Sequence, residues 1–180
     1  MQETEKQFWE AIGECKAIFE KKLKDYGTSW RVMRASSLTD QIFIKAKRIR
    51  FIEEKGEQNA HINEGIKPEF IGIVNYGVIA LIQLALGPGE PINCEDALEL
   101  YEKFITESTS LMLHKNHDYE EAWRSMRISS FTDIILQKLY RTKEIENNGG
   151  QTLISEGIDA NYKDIINYAL FALIKIKYGE

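Results

Sequence analysis

The sequence predicts an all-α protein, a helical bundle of two tandem three-helix repeats that form a duplicated domain about a pseudo-two-fold axis. Three observations carry this. Apolar residues recur at spacings of three and four, the period of one helix face, and strand-type alternation is missing. Residues 25–40, DYGTSWRVMRASSLTD, return at 118–133 as DYEEAWRSMRISSFTD, identical at ten of sixteen positions. At the same offset of 93, Lys45 falls on Lys138 and Arg48 on Arg141; after a one-residue gap, EGIKPEFIGIVNYGVIALI at 64–82 falls on EGIDANYKDIINYALFALI at 156–174. Each copy is half the chain, longer than the units of about 30 to 50 residues that build helical arrays, so a pseudo-dimer is the simpler account.

The elements follow in order. Phe8, Ile12, Cys15, Phe19 and Leu23 make one face of a first helix over 4–23, which holds no proline. The segment SSLTDQIFIKAKRIRFIEEKG opens on Ser and Thr caps, turns Ile42, Ile49 and Ile52 inward and stops at Gly56. A third helix has Pro68 in its first turn and Gly87 at its end, and is apolar almost all round, so it is expected to be central. LGPGEPIN, with two of the three prolines, reads as the linker, which sets repeats at 1–87 and 94–180 with 88–93 between them. The second repeat places helices near 94–115, 129–147 and 160–177.

Composition narrows the function classes. With 180 residues and 43% hydrophobic content the chain can bury a sizeable core. No apolar run is expected to reach the roughly 20 residues of a membrane span, and MQETEKQFWE is too polar for a signal peptide, so the expected address is the cytoplasm with no membrane partner. Cys15 and Cys94 lack metal-site spacing and read as small core residues. The net charge of −5 is spread along the chain without a basic stripe, which argues against a nucleic-acid polymer and leaves a single nucleotide open.

Polar residues kept where packing does not ask for them mark the candidate site. Asp40 and Asp133 sit in the first turn of the second helix of each repeat, where the positive helix end favours a carboxylate; capping alone would account for them. Lys45 and Arg48, and their counterparts Lys138 and Arg141, follow on the same helix. In the last helix Asp164, Asn167 and Tyr168 interrupt an apolar surface at i, i+3 and i+4, as a site or a buried polar network would. The first repeat keeps Asn75 and Tyr76 but has Gly72 for the aspartate, which makes the second repeat the better equipped if that carboxylate holds a metal. Arg31, Arg34, Arg124 and Arg127 suit phosphate oxygens, or else pair with the aspartates across the bundle. Trp30 and Trp123 are core anchors first and base-stacking surfaces second. Carboxylates beside such cations would hold Mg²⁺, which keeps waters for substrate phosphates. EEKGE at 53–57 is a solvated helix end, and His114 with His117 makes no zinc site.

The stretches KDYGTSWRVMRASSLTDQIFIKAKRI with EGI and NYGVIALI, and HDYEEAWRSMRISSFTDIILQKLYRTKEI with EGI and DIINYALFALI, resemble the nucleotide modification associated domain 1 family, twice in tandem over nearly the whole chain. More remotely, the helical plan and KDIINYALFAL are similar to the all-α nucleoside triphosphate pyrophosphohydrolases of the MazG and dimeric dUTPase type, which hold Mg²⁺ with four carboxylates on two helices. Asp164 stands at the last acidic position of their ExxD element and Asn161 at its glutamate; the first repeat has Glu69 and Gly72 there. Their paired glutamates on the preceding helix have no counterpart beyond Asp40 or Asp133. This resemblance implies Mg²⁺ on Asp164, Asp133 and Glu156, with Asp40 and Glu64 in the first repeat. Water would attack a phosphoanhydride, Asn167 would place a ligand or the base, and the lysines and arginines above would neutralise phosphate charge. The alternative is a module that binds a nucleotide or other phosphorylated metabolite without turnover, favoured by the missing glutamates. A ligand-free polar network joining the halves is the third reading. A further homo-oligomer is compatible with each.

Overall fold

The computed structural model describes residues 2–56 and 65–179. Among them are six α-helices and no strand. The first repeat comprises α1 (Gln2–Tyr26), α2 (Ala35–Lys55) and α3 (Lys67–Leu86), and the second α4 (Cys94–Asp118), α5 (Ile128–Asn147) and α6 (Ile158–Tyr178). Short 3₁₀ turns at Ser29–Val32 and Ala122–Ser125 stand at the same place in each repeat. They are closed by matching bonds, Met33 N–H to the Trp30 carbonyl and Met126 N–H to the Trp123 carbonyl, both 3.0 Å.

These turns correct one expectation. The N-caps of α2 and α5 are Arg34 and Arg127 in extended backbone, without side-chain capping, rather than Ser or Thr. The repeated threonines do other work. Thr39 and Thr132 reach across to the opposite repeat, Thr39 Oγ1 to Glu146 Oε2 and Thr132 Oγ1 to Glu53 Oε2, both at 3.2 Å.

Glu53 and Glu146 are themselves 93 residues apart, so residue i of one copy meets residue j of the other and the reverse also holds, the signature of an isologous interface. The aspartates obey the same rule: Asp40 pairs with Lys143 at 3.4 Å and Asp133 with Arg50, where Arg50 and Lys143 are again counterparts. Packing shares the symmetry. Helices α3 and α6 cross at the centre, α2 lies against α5, and α1 and α4 each pack on both central helices. At the crossing Gly77 admits Ile166: a Cβ on residue 77 would lie 2.6 Å from Ile166 Cγ1.

The core holds Phe8, Phe70, Ile73, Ile82, Phe131, Tyr162 and Ile165 with no exposure. Burying each such apolar side chain contributes about 1.5–3 kcal/mol. Helix α3 is long and apolar enough to cross a membrane by length and composition, contrary to the expectation that no segment is; most of it is buried against its neighbours. Cys15 is buried, and burial pushes its thiol up to about 12, whereas Cys94 is exposed and is not the core residue it was expected to be.

Candidate functional site

A cavity of about 700 Å³ opens in the first repeat between the C-terminal half of α1, the first 3₁₀ turn and α3. Phe19, Trp30, Ile71 and Ile79 form its apolar wall, and Lys22, Lys45, Glu69 and Tyr76 its polar side. Lys45 reaches it from α2 by lying across Gly72, where a Cβ would be 2.6 Å from Lys45 Cε. Its Nζ stands 3.5 Å from Glu69 Oε2 and 5.6 Å from the Tyr76 ring centroid. Glu69 is buried and shared: Arg48 Nη1 lies 3.4 Å from its other oxygen. Asn75 forms a fixed part of the wall, donating from Nδ2 to the Cys15 carbonyl at 3.0 Å and accepting at Oδ1 from the Tyr101 hydroxyl at 2.7 Å. At the cavity's edge the Tyr26 hydroxyl is pushed up by desolvation, then by Tyr76 and Asp25.

The equivalent place in the second repeat holds about 200 Å³, bounded by Met112, Lys115, Lys163, Asp164 and Asn167. Position 79 differs between the copies: Ile79 lines the cavity beside Trp30, whereas its counterpart Phe171 stacks on Trp123 with centroids 4.5 Å apart and planes at 18°. Lys138 takes the place of Lys45 but meets its carboxylate one turn later, Asp164 at 2.8 Å. Each repeat thus has one carboxylate for its lysine, Glu69 where the other copy has Asn161 and Asp164 where the other has Gly72.

The family model of nucleotide modification associated domain 1 matches residues 22–84 and 115–176. The chain belongs to this family. Each matched segment runs from the end of the first helix through the third, and the first of them supplies most of the cavity's lining, with Ile18 and Phe19 just ahead of it. No curated protein and no solved structure matches the chain.

Within this domain the structure redistributes the expected site residues. Asp133 and Asp40 face cations of the opposite repeat, Asp164 is held by Lys138, and Glu156 borders the small cavity; Glu64 lies outside the described residues. Among the described residues no three His, Cys, Asp or Glu side chains converge. The carboxylate set expected for Mg²⁺ is not assembled among the described residues: Asp133, Asp40 and Asp164 each face a cation, and Glu156 stands at the border of the small cavity. Arg31 is buried, donating from Nη1 to Gln83 Oε1 and, at 2.8 Å, to the Gly87 carbonyl, which ties the 3₁₀ turn to the end of α3. Gln83 returns bonds to the carbonyls of Arg31 at 2.8 Å and Met33 at 2.6 Å. Arg124 clasps α1 through Thr4 Oγ1 and Gln7 Oε1, both 2.7 Å, and lies over the Trp123 ring. Arg31 and Arg124 therefore hold turns to helices instead of lining a pocket. Arg34, Arg127 and Arg141 are exposed.

Of the expected binding residues, Trp30 and Lys45 line the large cavity, and Arg48 stands behind it on Glu69. The larger cavity lies in the first repeat, the copy with Gly72, while the carboxylate Asp164 stands in the second. Lys22, Phe19 and Ile79 were missed; setting Ile79 against Phe171 in the aligned repeats was the available signal.

Proposed function

We propose that the protein binds one phosphorylated aromatic metabolite, in the first instance a nucleotide, in the cavity of the first repeat, and does so without turnover. The observation that carries this is the cavity itself: an aromatic and aliphatic wall ending in a lysine draped over a glycine. Small-molecule sites are concave, mostly apolar, about 300–1,000 Å³ in volume and oriented by a few polar groups. The base lies against the Trp30 and Phe19 wall and the phosphate meets Lys45, with Lys22 at the rim. Recruiting Lys45 costs little, because Arg48 continues to compensate the buried Glu69. In the second repeat Phe171 occupies the base position and Asp164 holds the lysine, so the expected stoichiometry is one ligand per chain.

Calorimetric titration with nucleotides in the absence of divalent metal tests this. One site per chain is expected, with a stabilisation of about 2.7 kcal/mol at a ligand concentration of about 100 Kd. Ile79→Phe should abolish binding and Phe171→Ile should leave it intact. Release of pyrophosphate from a triphosphate with Mg²⁺, lost in Asp164→Asn, would instead establish a hydrolase.

A further inference from the structure

The charge count of the cavity limits the length of the phosphate chain. We infer that the ligand is a nucleoside monophosphate, selected over the di- and triphosphate; this rests on the binding reading above. Among the described residues the cations lining the cavity are Lys22 and Lys45, and the same wall carries Glu69. A phosphate monoester bears about −1.5 to −2 charges at neutral pH, which two lysines can match. Each further phosphate adds negative charge for which the lining offers no further cation among the described residues.

Those partners are spent elsewhere. Arg31 is buried on Gln83 and Gly87, and Arg48 serves Glu69. The first turn of α3, which also borders the cavity, is closed to a second phosphate as well. A helix start usually offers free N–H donors and a positive end to an anion, but here Pro68 lacks the donor and Glu69 already places an anion there. Lys67, in the same turn, is paired with Glu14 at 2.9 Å.

The second repeat supplies the control. Asp164 shows what a carboxylate at position 72 does to the lysine, so Gly72→Asp in the first repeat should capture Lys45 and imitate phosphate. Gly72 lies inside a helix, so the change also gains helix propensity.

The test is titration of the intact chain, free of divalent metal, with the nucleosides and 5′-mono-, di- and triphosphates of the four common bases. For the base that binds, the monophosphate is expected to be tightest, about tenfold or more over both nucleoside and triphosphate, as the loss of one charge-assisted hydrogen bond implies. Lys45→Met and Gly72→Asp should each erase the preference for monophosphate over nucleoside while the melting temperature holds. A triphosphate that binds as tightly as the monophosphate, or a preference unchanged in both variants, overturns the inference and leaves the binding site standing. Failure of every compound to bind overturns the binding reading itself.

Discussion

A hydroxyl present in the first repeat and absent from the second leaves a buried amide oxygen without a partner, and restoring it is a direct test of the pseudo-two-fold. In the first repeat Asn75 is fully bonded, through Nδ2 to the Cys15 carbonyl and through Oδ1 from the Tyr101 hydroxyl at 2.7 Å. Its counterpart Asn167 donates to the Ser108 carbonyl at 2.9 Å, the matching bond, and to the Lys163 carbonyl at 3.0 Å, yet its Oδ1 is buried without a partner. The residue 93 positions before Tyr101 is Phe8, fully buried, with no hydroxyl to offer. Phe8→Tyr should therefore stabilise the protein. A buried acceptor left unsatisfied costs about 1–3 kcal/mol, and the desolvation of the new hydroxyl offsets part of the gain, leaving about 1 kcal/mol. For a chain of this size that corresponds to a rise of about 2–4 °C in Tm. Burial holds the Tyr101 hydroxyl well above the usual tyrosine range, so in the control, Tyr101→Phe, a protonated donor is removed at any working pH and a loss of about 1–3 kcal/mol is expected. Urea unfolding followed by circular dichroism reads both, with unchanged m-values as the condition for comparison. If Tyr101→Phe costs what is expected while Phe8→Tyr is neutral or destabilising, the two sites are not equivalent in geometry and the symmetry argument fails at its core.

Other consequences are open to measurement. Ile79→Phe should let the new ring stack on Trp30 as Phe171 stacks on Trp123, raising stability by about 0.5–1.5 kcal/mol in chemical denaturation. Gly77→Ala should place a methyl against Ile166; overpacking of about 1–3 kcal/mol exceeds the gain in helix propensity of about 1 kcal/mol, so Tm should fall. Glu53 and Glu146 both have carboxyls raised from 4.5, mainly by desolvation, with the neighbouring Asp133 and Asp40 adding to the rise. A raised folded-state pKa means that the folded form holds the proton more firmly, so their stabilising contribution is present below the unfolded value and is lost as pH rises through the folded one. The double variant Glu53→Gln, Glu146→Gln should thus be more stable than the parent at neutral pH, with the difference closing on acidification toward about pH 4 in a melting series.

The helices and the duplication were legible because both are written in local order, the 3.6-residue period and an offset that can be aligned by eye. The 3₁₀ turns escaped that reading because their cause is tertiary: Trp30 and Trp123 are pulled into the core while Arg31 and Arg124 are tied to other elements. Asp40 and Asp133 are legible in the sequence as repeated carboxylates, but their partners Lys143 and Arg50 lie in the opposite copy, beyond any spacing rule. Asp164 drew attention to the second repeat by its charge. The open volume was decided by Ile79 against Phe171, two apolar residues that no search for polar motifs would weigh.

The covalent joining of the two copies by residues 88–93 has a consequence for how such a molecule can change. In a homodimer every substitution lands twice, so a ring that plugs one pocket plugs both and a binding protein is lost in one step. Here Phe171 could enter one half as ballast for the core while Ile79 kept the other half hollow. The same partition lets Lys45 rest lightly on Glu69 while Lys138 is clamped by Asp164.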